Sequence, residues 1–316
     1  MIDNKLVAIV GPTGSGKSEL AVKLAHLFPG EIVNADSRQL YRFLSIGTAK
    51  PTDAEMESIP HHLLDLIEPD QDFNLAEYQH VAHEMIRGIQ SRDLLPFMVG
   101  GTGLYVWATI EGWNVPQVAP DWKLRHSLEE RARRDGAEAL QKYLSEIAPD
   151  AACKIDYRNV RRVIRALEVA LYLRNDNNRD NPTTQSPPYQ TLIIGLTTDR
   201  ESLYQRIDAR VDKMLEKGLV GEVQTILGAG FTSGAAAFKS VGYREVLEYL
   251  GDRVSASDMA TKIKTQTHRL VRQQYNWFKL NDCRIHWFDI KADYFSDAVV
   301  LIKRFLDKKG RNSGFY

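Results

Sequence analysis

The chain begins with a short apolar run, a glycine-rich octapeptide and an amphipathic segment, in that order. Residues 6–10 are all apolar and mostly branched, which predicts a buried strand of a parallel sheet. The octapeptide fits the pattern G-x-x-x-x-G-K-[ST], in which backbone N–H groups, a lysine and a hydroxyl surround phosphate oxygens. It consists of Gly11, Pro12, Thr13, Gly14, Ser15, Gly16, Lys17 and Ser18. Apolar residues then recur at helical spacing as far as Phe28, so a helix presents its positive end to the same phosphate.

Further strand-like segments follow along the chain, and helical stretches separate them. They occupy residues 31–35, 94–99, 191–196 and 285–288. Strands that alternate with helices predict an α/β fold, here a P-loop NTPase-like parallel sheet flanked by helices. Residues 120–174 are charged and helical without any strand signal, and a polar segment follows them. We therefore expect a core of residues 1–119 and 190–316, interrupted by an all-helical insertion domain at residues 120–189.

The composition is that of an ordinary globular protein, with 43% hydrophobic and 26% charged residues. No run approaches the roughly 18 apolar residues of a membrane span, and the first residues lead directly into a strand rather than a signal peptide. The two cysteines, Cys153 and Cys283, lie far apart, and we expect buried free thiols in a reducing compartment. These features predict a cytoplasmic protein, and nothing in the pattern requires more than a monomer.

The formal net charge is zero, yet basic residues cluster in two places. Residues 154–165 carry five basic side chains against one acid, namely Lys154, Arg158, Arg161, Arg162 and Arg165. Residues 261–284 carry six against one acid, namely Lys262, Lys264, Arg269, Arg272, Lys279 and Arg284. Either run alone is typical of a solvated helix face, whereas two runs in a neutral protein favour a polyanionic partner.

The position of the acidic residues distinguishes this chain from a nucleotide hydrolase. Such an enzyme needs an acid at the end of an apolar strand to hold Mg²⁺ and order a water, but residues 94–99 are followed by Gly-Gly-Thr-Gly. Asp36 instead follows the strand at 31–35, where an aspartate either forms a turn or accepts a proton from a nucleophile. If both strands flank the loop strand, Asp36 and Thr102 lie near the phosphates. The residues alone therefore predict a phosphate-dependent transferase and no particular substrate.

Several short motifs occupy the rest of the chain. They are Asp36-Ser37-x-Gln39-x-Tyr41, Gly47-Thr48-Ala49-Lys50-Pro51, His61-His62-Leu63-Leu64-Asp65, Gly100-Gly101-Thr102-Gly103-Leu104-Tyr105, Arg161-Arg162-Val163-Ile164-Arg165-Ala166-Leu167-Glu168-Val169, Arg206-x-x-x-Arg210, Val241-Gly242-Tyr243, and Arg272-Gln273 before Trp277-Phe278. Together with the octapeptide, this series resembles the tRNA dimethylallyltransferase family over about residues 5–290. Arg161 stands where many members of the family have Gln. The chain has no Cys/His cluster like the zinc finger of eukaryotic members.

The resemblance implies transfer of a dimethylallyl group from dimethylallyl diphosphate to N6 of adenosine 37, in the anticodon loop of tRNA. Residues 11–18, with Arg206 and Arg210, would then bind the diphosphate, and Mg²⁺ would bind at the Ser18 hydroxyl. The catalytic residues would be Asp36, Thr102 and Lys17, with Asp36 accepting the proton of N6. The residues in contact with tRNA would be Asp36, Ser37, Arg38, Gln39, Thr102, Arg161, Arg162 and Arg165.

Two other classes of protein use the same loop. A P-loop small-molecule kinase would bind ATP there and use Asp36 as the base for a substrate hydroxyl. An RNA-binding protein gated by a nucleotide would use the loop and the basic runs without any chemistry. The loop pattern alone is also the usual basis for describing a protein as nucleotide-binding or ATP-binding, although the prenyl transfer needs no ATP. For Arg206 and Arg210, the alternative is an ordinary surface helix face beside Asp208 and Asp212.

Overall fold

A parallel sheet of six strands forms the centre of the larger part of the protein. The computed structural model describes residues 4–175 and 187–307. The strands are β1 (Lys5–Val10), β2 (Gly30–Asn34), β3 (His61–His62), β4 (Leu95–Val99), β5 (Gln190–Thr197) and β6 (Ile285–Asp289). They lie in the order β3-β2-β4-β1-β5-β6, and every pairing is parallel. The predicted parallel sheet flanked by helices is therefore confirmed.

The five strands that the sequence predicts are all present, with ends shifted by no more than one residue. The short edge strand β3 is an addition. It pairs with β2 through Ile32 and Val33. A strand of two residues shows no alternation that a sequence pattern could reveal.

The helices, in chain order, flank the sheet or form a separate helical unit. They are α1 (Lys17–Leu27), α2 (Asp53–Met56), α3 (Leu75–Gln90), α4 (Gly103–Glu111), α5 (Trp122–Asp135), α6 (Ala137–Ile147), α7 (Pro149–Ala152), α8 (Val160–Asn175), α9 (Arg200–Glu216), α10 (Leu219–Gly228), α11 (Tyr243–Leu250), α12 (Ala256–Trp277) and α13 (Phe295–Asp307). A 3₁₀ turn, Ala236–Lys239, precedes α11.

Both faces of the central strand β1 are buried, which explains its uninterrupted apolar sequence. Leu6, Ala8 and Val10 pack on one face, together with side chains of α3 and α4. Val7 and Ile9 pack on the opposite face, together with side chains of α1 and α13. The period of two along a strand thus divides one apolar run between two cores.

The chain divides into two compact units, of which the smaller spans Asn114–Gln185 and the larger comprises Met1–Trp113 and Ser186–Tyr316. The sequence pattern predicts the insertion at residues 120–189. The described part of the smaller unit contains α5, α6, α7 and α8 and no strand. Its own core is formed by Leu128, Leu140, Leu144, Ala152, Val163, Ile164 and Leu167.

The expectation of buried thiols is wrong, because Cys153 and Cys283 are both exposed. Cys153 follows the short helix α7, and Cys283 lies in the turn between α12 and β6. Turns of this kind run over the surface, so the usual tendency of cysteine to be buried does not apply. Among the described helices, none is both long and apolar enough to cross a bilayer.

A buried carboxylate connects two helices of the smaller unit. Glu168 on α8 is only 2% exposed and accepts two hydrogen bonds from Arg125 on α5, at 2.9 and 2.8 Å. It also accepts hydrogen bonds from Arg165 and from the backbone N–H of Asp121. Burial raises the pKa of Glu168, but these donors outweigh burial and the pKa is lowered. Glu168 therefore stays ionised as the common partner of two arginines.

We expect Glu168→Gln to destabilise the smaller unit by about 2 kcal/mol, since it leaves two partly exposed arginines without a carboxylate. Hydrogen exchange of α5 and α8 measures this, with Glu146→Gln on the exposed face of α6 as the control. Because the pKa of Glu168 is lowered in the folded state, the difference from wild type should shrink as the pH falls below 4.5, its ordinary value. Equal exchange in both variants at pH 7 contradicts this role.

Candidate active site

Three loops meet at one edge of the sheet, at the carboxyl ends of β2, β4 and β1, which are parallel and lie side by side in that order. The expectation that both strands flank the loop strand is wrong for β2, because β4 lies between β2 and β1. Residues 11–16 follow β1, residues 35–39 follow β2, and residues 100–102 follow β4. Thr102 joins two of these loops: its backbone N–H donates to the carbonyl oxygen of Ala35 at 3.1 Å. Its Oγ1 accepts the N–H of Ser37 at 3.0 Å. Ligands of open parallel sheets bind at this edge.

The octapeptide forms the turn between β1 and α1, and Lys17 is the first residue of that helix. Lys17 Nζ donates to the carbonyl oxygen of Pro12 at 2.7 Å. Arg206 on α9 donates through Nε to the carbonyl oxygen of Gly14 at 3.0 Å. The first N–H groups of a helix have no partners within the helix and carry the positive end of its dipole. The loop therefore has the backbone arrangement of an anion site.

The side chains of Lys17, Arg210 and Asp36 interact electrostatically at this edge of the sheet. Burial lowers the pKa of Lys17 to about 8, while Asp36 raises it and Arg210 lowers it. Burial also lowers the pKa of Arg210, against the raising effect of Asp36 and Glu55. Poorly hydrated cations favour a multiply charged anion, which restores the interactions that water no longer supplies. The electrostatics thus suit a diphosphate.

Asp36 is held in a fixed conformation by its neighbours. Its Oδ1 accepts the N–H of Arg38 at 2.9 Å, and its own N–H donates to Oδ1 of Asn34 at 3.1 Å. Its second carboxylate oxygen accepts no hydrogen bond from the described part of the chain. Asp36 is thus both the turn-forming residue that the sequence allowed and a carboxylate with a free oxygen in the cavity wall.

A cavity of about 360 Å³ opens beside the three loops. Its polar wall includes Thr13, Asp36, Ser37, Arg38, Thr102, Arg210, Lys239 and Gln274. Its apolar wall, from α9 and α12, includes Ile207, Val211, Met214, Ile263, Leu270 and Trp277. A lining that combines charged and polar groups with apolar side chains suits a ligand that carries both a charged group and a hydrocarbon.

Six of the fifteen predicted site residues of the core line the cavity, and Lys17 is not among them. Asp36, Ser37, Arg38, Thr102 and Arg210 line the cavity, as Thr13 of the octapeptide does. Gln39 is not in the cavity wall, and its Nε2 donates to the carbonyl oxygens of Thr48 and Ala49, both at 3.1 Å. Arg206 is exposed, so its guanidinium and that of Arg210 have different surroundings. Ser18 is exposed in the first turn of α1.

Gln274 is a site residue that the sequence analysis did not identify. It is 7% exposed on α12 and connects two loops. Its Oε1 accepts the N–H of Thr13 at 2.9 Å, and its Nε2 donates to the carbonyl oxygen of Gly101 at 3.3 Å. Trp277, one turn further, lies so close to Gly103 that a side chain there would collide with it. The only sequence signal for Gln274 is its place next to the Arg272-Gln273 motif.

Many basic residues of the two runs have acidic partners. Lys262 pairs with Glu248 at 2.9 Å, and Lys264 pairs with Asp212 at 2.7 Å. The remaining ion pairs of the runs join Arg158 to Asp156, Arg165 to Glu168, and Arg284 to both Asp282 and Glu111. Among the described residues, the members of the runs without an ion pair are Lys154, Arg161, Arg162, Arg269, Arg272 and Lys279. The charge available for a polyanion is thus smaller than the sequence suggests.

Comparisons with known proteins show the family to which the chain is similar. The model of the IPP transferase family matches residues 39–281, and that of the isopentenyl transferase family matches residues 4–69. A tRNA dimethylallyltransferase of Dehalococcoides mccartyi is 44% identical over 97% of this chain and 94% of its own length. That of Roseiflexus castenholzii is 46% identical over 87% and 89% of the two chains.

Two solved structures resemble the chain as well. A tRNA isopentenylpyrophosphate transferase from Bacillus halodurans has a TM-score of 0.70 and 39% identity, with 96% of each chain covered. A eukaryotic dimethylallyltransferase acting on tRNA has a TM-score of 0.83 and 26% identity, with 99% of this chain and 82% of that chain covered.

The parallel sheet and the glycine-rich loop at its edge place this protein in the class of α/β proteins with a phosphate-binding loop. Within that class, the chain belongs to the IPP transferase family, whose model covers most of its length.

The pKa of Lys17 leads to a testable pH dependence. Since that pKa is about 8, the ammonium loses its charge as the pH rises through 8, and the affinity for inorganic diphosphate should fall with it. We expect the dissociation constant of the wild type to rise by up to about tenfold between pH 7 and 9, relative to Lys17→Arg. Calorimetry at constant Mg²⁺ measures both, and the ratio removes the ligand's own titration. A ratio that stays constant over this range contradicts the assignment.

Proposed function

We propose that this protein transfers a dimethylallyl group from dimethylallyl diphosphate to N6 of adenosine 37 in the anticodon loop of tRNA, and releases diphosphate. The observation that carries the proposal is the cavity, whose wall includes the carboxylate of Asp36, the guanidinium of Arg210 and apolar side chains of α9 and α12. Relatives named tRNA dimethylallyltransferase, at 44% and 46% identity, support it. We also propose that the enzyme is a monomer and that it acts in the cytoplasm.

The diphosphate end of the donor binds at the loop formed by residues 11–18. As the bond between C1 and the diphosphate oxygen breaks, negative charge grows on the leaving diphosphate. Lys17, Arg210 and the N-terminal amides of α1 stabilise that charge because they are already in place and poorly hydrated. Arg206 binds the carbonyl oxygen of Gly14 and so supports the loop from outside.

Mg²⁺ accompanies the diphosphate in this proposal. The described residues contain no group of three or more His, Cys, Asp or Glu side chains that could hold a metal ion. One hydroxyl, that of Ser18 in the first turn of α1, fits an ion that keeps several waters and binds mainly through phosphate oxygens. Mg²⁺ supplies further charge stabilisation to the leaving diphosphate.

The acceptor amine lies against the polar wall, beside Asp36 and Thr102. The lone pair of N6 forms the new bond to C1, and the free carboxylate oxygen of Asp36 takes the proton that N6 loses. The hydroxyl of Thr102 accepts the N–H of Ser37 at 3.0 Å, so its position is fixed before the substrate binds. Ile207, Val211 and Met214 surround the prenyl group and exclude water, which would otherwise capture an allylic cation.

The RNA must expose the adenine outside its stack, as base-modifying enzymes require. Ser37 and Arg38, both in the cavity wall, contact the edges of the base. Arg161 and Arg162 are exposed and bind backbone phosphates of the anticodon arm. Arg165 has a structural role instead, because it pairs with Glu168 and donates to the carbonyl oxygen of Val118 at 3.0 Å. Gln39 likewise acts through its hydrogen bonds to residues 48 and 49.

The proposal is tested with an unmodified anticodon stem-loop RNA, Mg²⁺ and radiolabelled dimethylallyl diphosphate, in the absence of ATP. We expect the label to enter the RNA, because the anion site binds the donor's own diphosphate. An RNA in which the target adenosine is replaced by guanosine is the control for the site of transfer. No label in RNA, together with phosphate transfer from labelled ATP to a small acceptor, would leave a kinase with the same fold.

We expect Asp36→Ala to abolish prenyl transfer and to leave donor binding intact. Loss of a general base lowers kcat by about 10²–10⁴-fold. Removal of a carboxylate that interacts with Lys17 and Arg210 should not weaken the binding of an anion. Single-turnover transfer and calorimetry with diphosphate measure the two effects, with the exposed Asp70→Ala as the control. Turnover like that of the wild type would remove Asp36 from the mechanism.

A further inference from the structure

The turn formed by residues 45–48 is held by one carboxylate on a neighbouring helix. Glu222 lies on α10, and its Oε2 accepts the N–H groups of Ser45 at 3.0 Å and Ile46 at 2.7 Å. Its Oε1 accepts the N–H of Gly47 at 3.3 Å and the hydroxyl of Tyr243 at 2.5 Å. One side chain thus binds three consecutive backbone N–H groups and a phenol.

Tyr243 supports the same turn by packing as well as by its hydroxyl. Its side chain is fully buried at the start of α11. A Cβ at Gly47 would lie 2.5 Å from the Tyr243 ring and 2.8 Å from Leu219, so only glycine allows the turn to approach. Burial and the neighbouring Glu222 raise the pKa of Tyr243, which keeps the phenol protonated as a donor.

This contact joins two segments of the cavity wall. Gly47 and Thr48 form one segment of the wall, and residues 239–242, directly before Tyr243, form another. The N–H of Gly242 donates to Glu245 Oε2 at 2.8 Å, which fixes the second segment to α11. The separation of the two segments is therefore set by Glu222 and Tyr243.

The network continues to the segment that carries Asp36. Gln39 donates to the carbonyl oxygens of Thr48 and Ala49, and its own N–H donates to the carbonyl oxygen of Asp36 at 3.2 Å. Within the described chain, the hydrogen bonds of Glu222, Tyr243 and Gln39 do not reach residues 11–18. The network therefore connects to the part of the cavity wall that carries Asp36, where the acceptor amine is proposed to lie, and not to the phosphate loop. We call this part the acceptor side of the cavity.

We propose that Glu222 and Tyr243 are positioning residues, which set the shape of the acceptor side of the cavity through the 45–48 turn and Gln39. The inference rests on the proposed prenyl transfer. It assigns the acceptor RNA, and not the diphosphate donor, as the substrate whose productive binding depends on these two side chains.

The test uses Tyr243→Phe and Glu222→Gln in the full chain. Tyr243→Phe keeps the ring that packs on Gly47 and removes only the hydroxyl. Glu222→Gln keeps the size of the side chain, but its N–H₂ group is a donor and cannot accept the backbone N–H groups that the carboxylate binds. We expect kcat/KM for the stem-loop RNA to fall about tenfold in each variant, as loss of a hydrogen bond to a charged group implies. The dissociation constant of a donor analogue with sulfur as the bridging atom should change less than about twofold.

The matched controls are Tyr249→Phe on α11 and Glu216→Gln at the end of α9. Tyr249 packs against the core, and Glu216 is exposed. Both controls should retain the RNA and donor parameters of the wild type. The double variant Tyr243→Phe/Glu222→Gln should be no less active than Glu222→Gln alone, since the Tyr243 hydroxyl acts through its hydrogen bond to Glu222.

Each other outcome has a definite meaning. Unchanged kcat/KM for RNA in both single variants overturns the proposal. Equal losses for RNA and donor, in step with a lower melting temperature, also overturn it, because they indicate a purely structural role. Faster amide exchange of residues 45–47 in Glu222→Gln should accompany the kinetic effect if the contact holds the turn. A wild type that transfers no label contradicts the proposed function itself.

Discussion

The ends of β2 and β4 touch backbone to backbone, and the rest of the candidate site depends on this contact. A side chain at Gly100 would collide with the backbone of Ala35, so glycine is required where the two strands end. The close approach allows Thr102 to bind Ala35 through its N–H and Ser37 through its hydroxyl. Asp36 lies between these two residues and is therefore fixed relative to β4. Since β4 also pairs with β1, the sheet sets the position of the carboxylate relative to the phosphate loop.

The same geometry keeps negative charge beside Lys17 and Arg210 both before and after the proposed transfer. Asp36 interacts with both Lys17 and Arg210, and burial lowers the pKa of each cation. In the transfer, Asp36 becomes neutral as it accepts the proton of N6, while the leaving diphosphate gains negative charge. The two cations thus lose one negative neighbour and gain another in the same step. Poorly hydrated groups that need little reorganisation are the usual source of electrostatic catalysis.

Local patterns in the sequence are sufficient to predict the framework of the site. The apolar run, the octapeptide and the helix that follows them are contiguous, so β1, the phosphate loop and α1 can be read directly. Asp36 and Thr102 are predictable because both follow strands, and the ends of parallel strands meet at one edge. These residues are set by secondary structure and topology.

The residues that the sequence does not predict depend on contacts between distant segments. Gln274 reaches Thr13 and Gly101 from α12, and no periodicity in a helix indicates which side chain will do so. Gln39 matches a family motif, yet its amide binds the 48–49 backbone instead of the cavity. A family motif does not show whether a residue contacts a ligand or supports the cavity wall. The hydrogen bonds of its side chain in the structure show which of the two it does.

In a run of basic residues, those that can bind a ligand must likewise be distinguished from those that support the structure. Two arginines within one turn of α8 illustrate this difference. Arg162 and Arg165 are three residues apart, and the sequence treats them alike. Arg165 is paired with the buried Glu168, which also holds Arg125 from α5, so its charge serves the packing of the smaller unit. Arg162 is exposed without such a partner in the described chain, so its charge is available to a phosphate. The location of the acidic residues, more than the number of basic ones, therefore determines how much of a basic run can bind RNA.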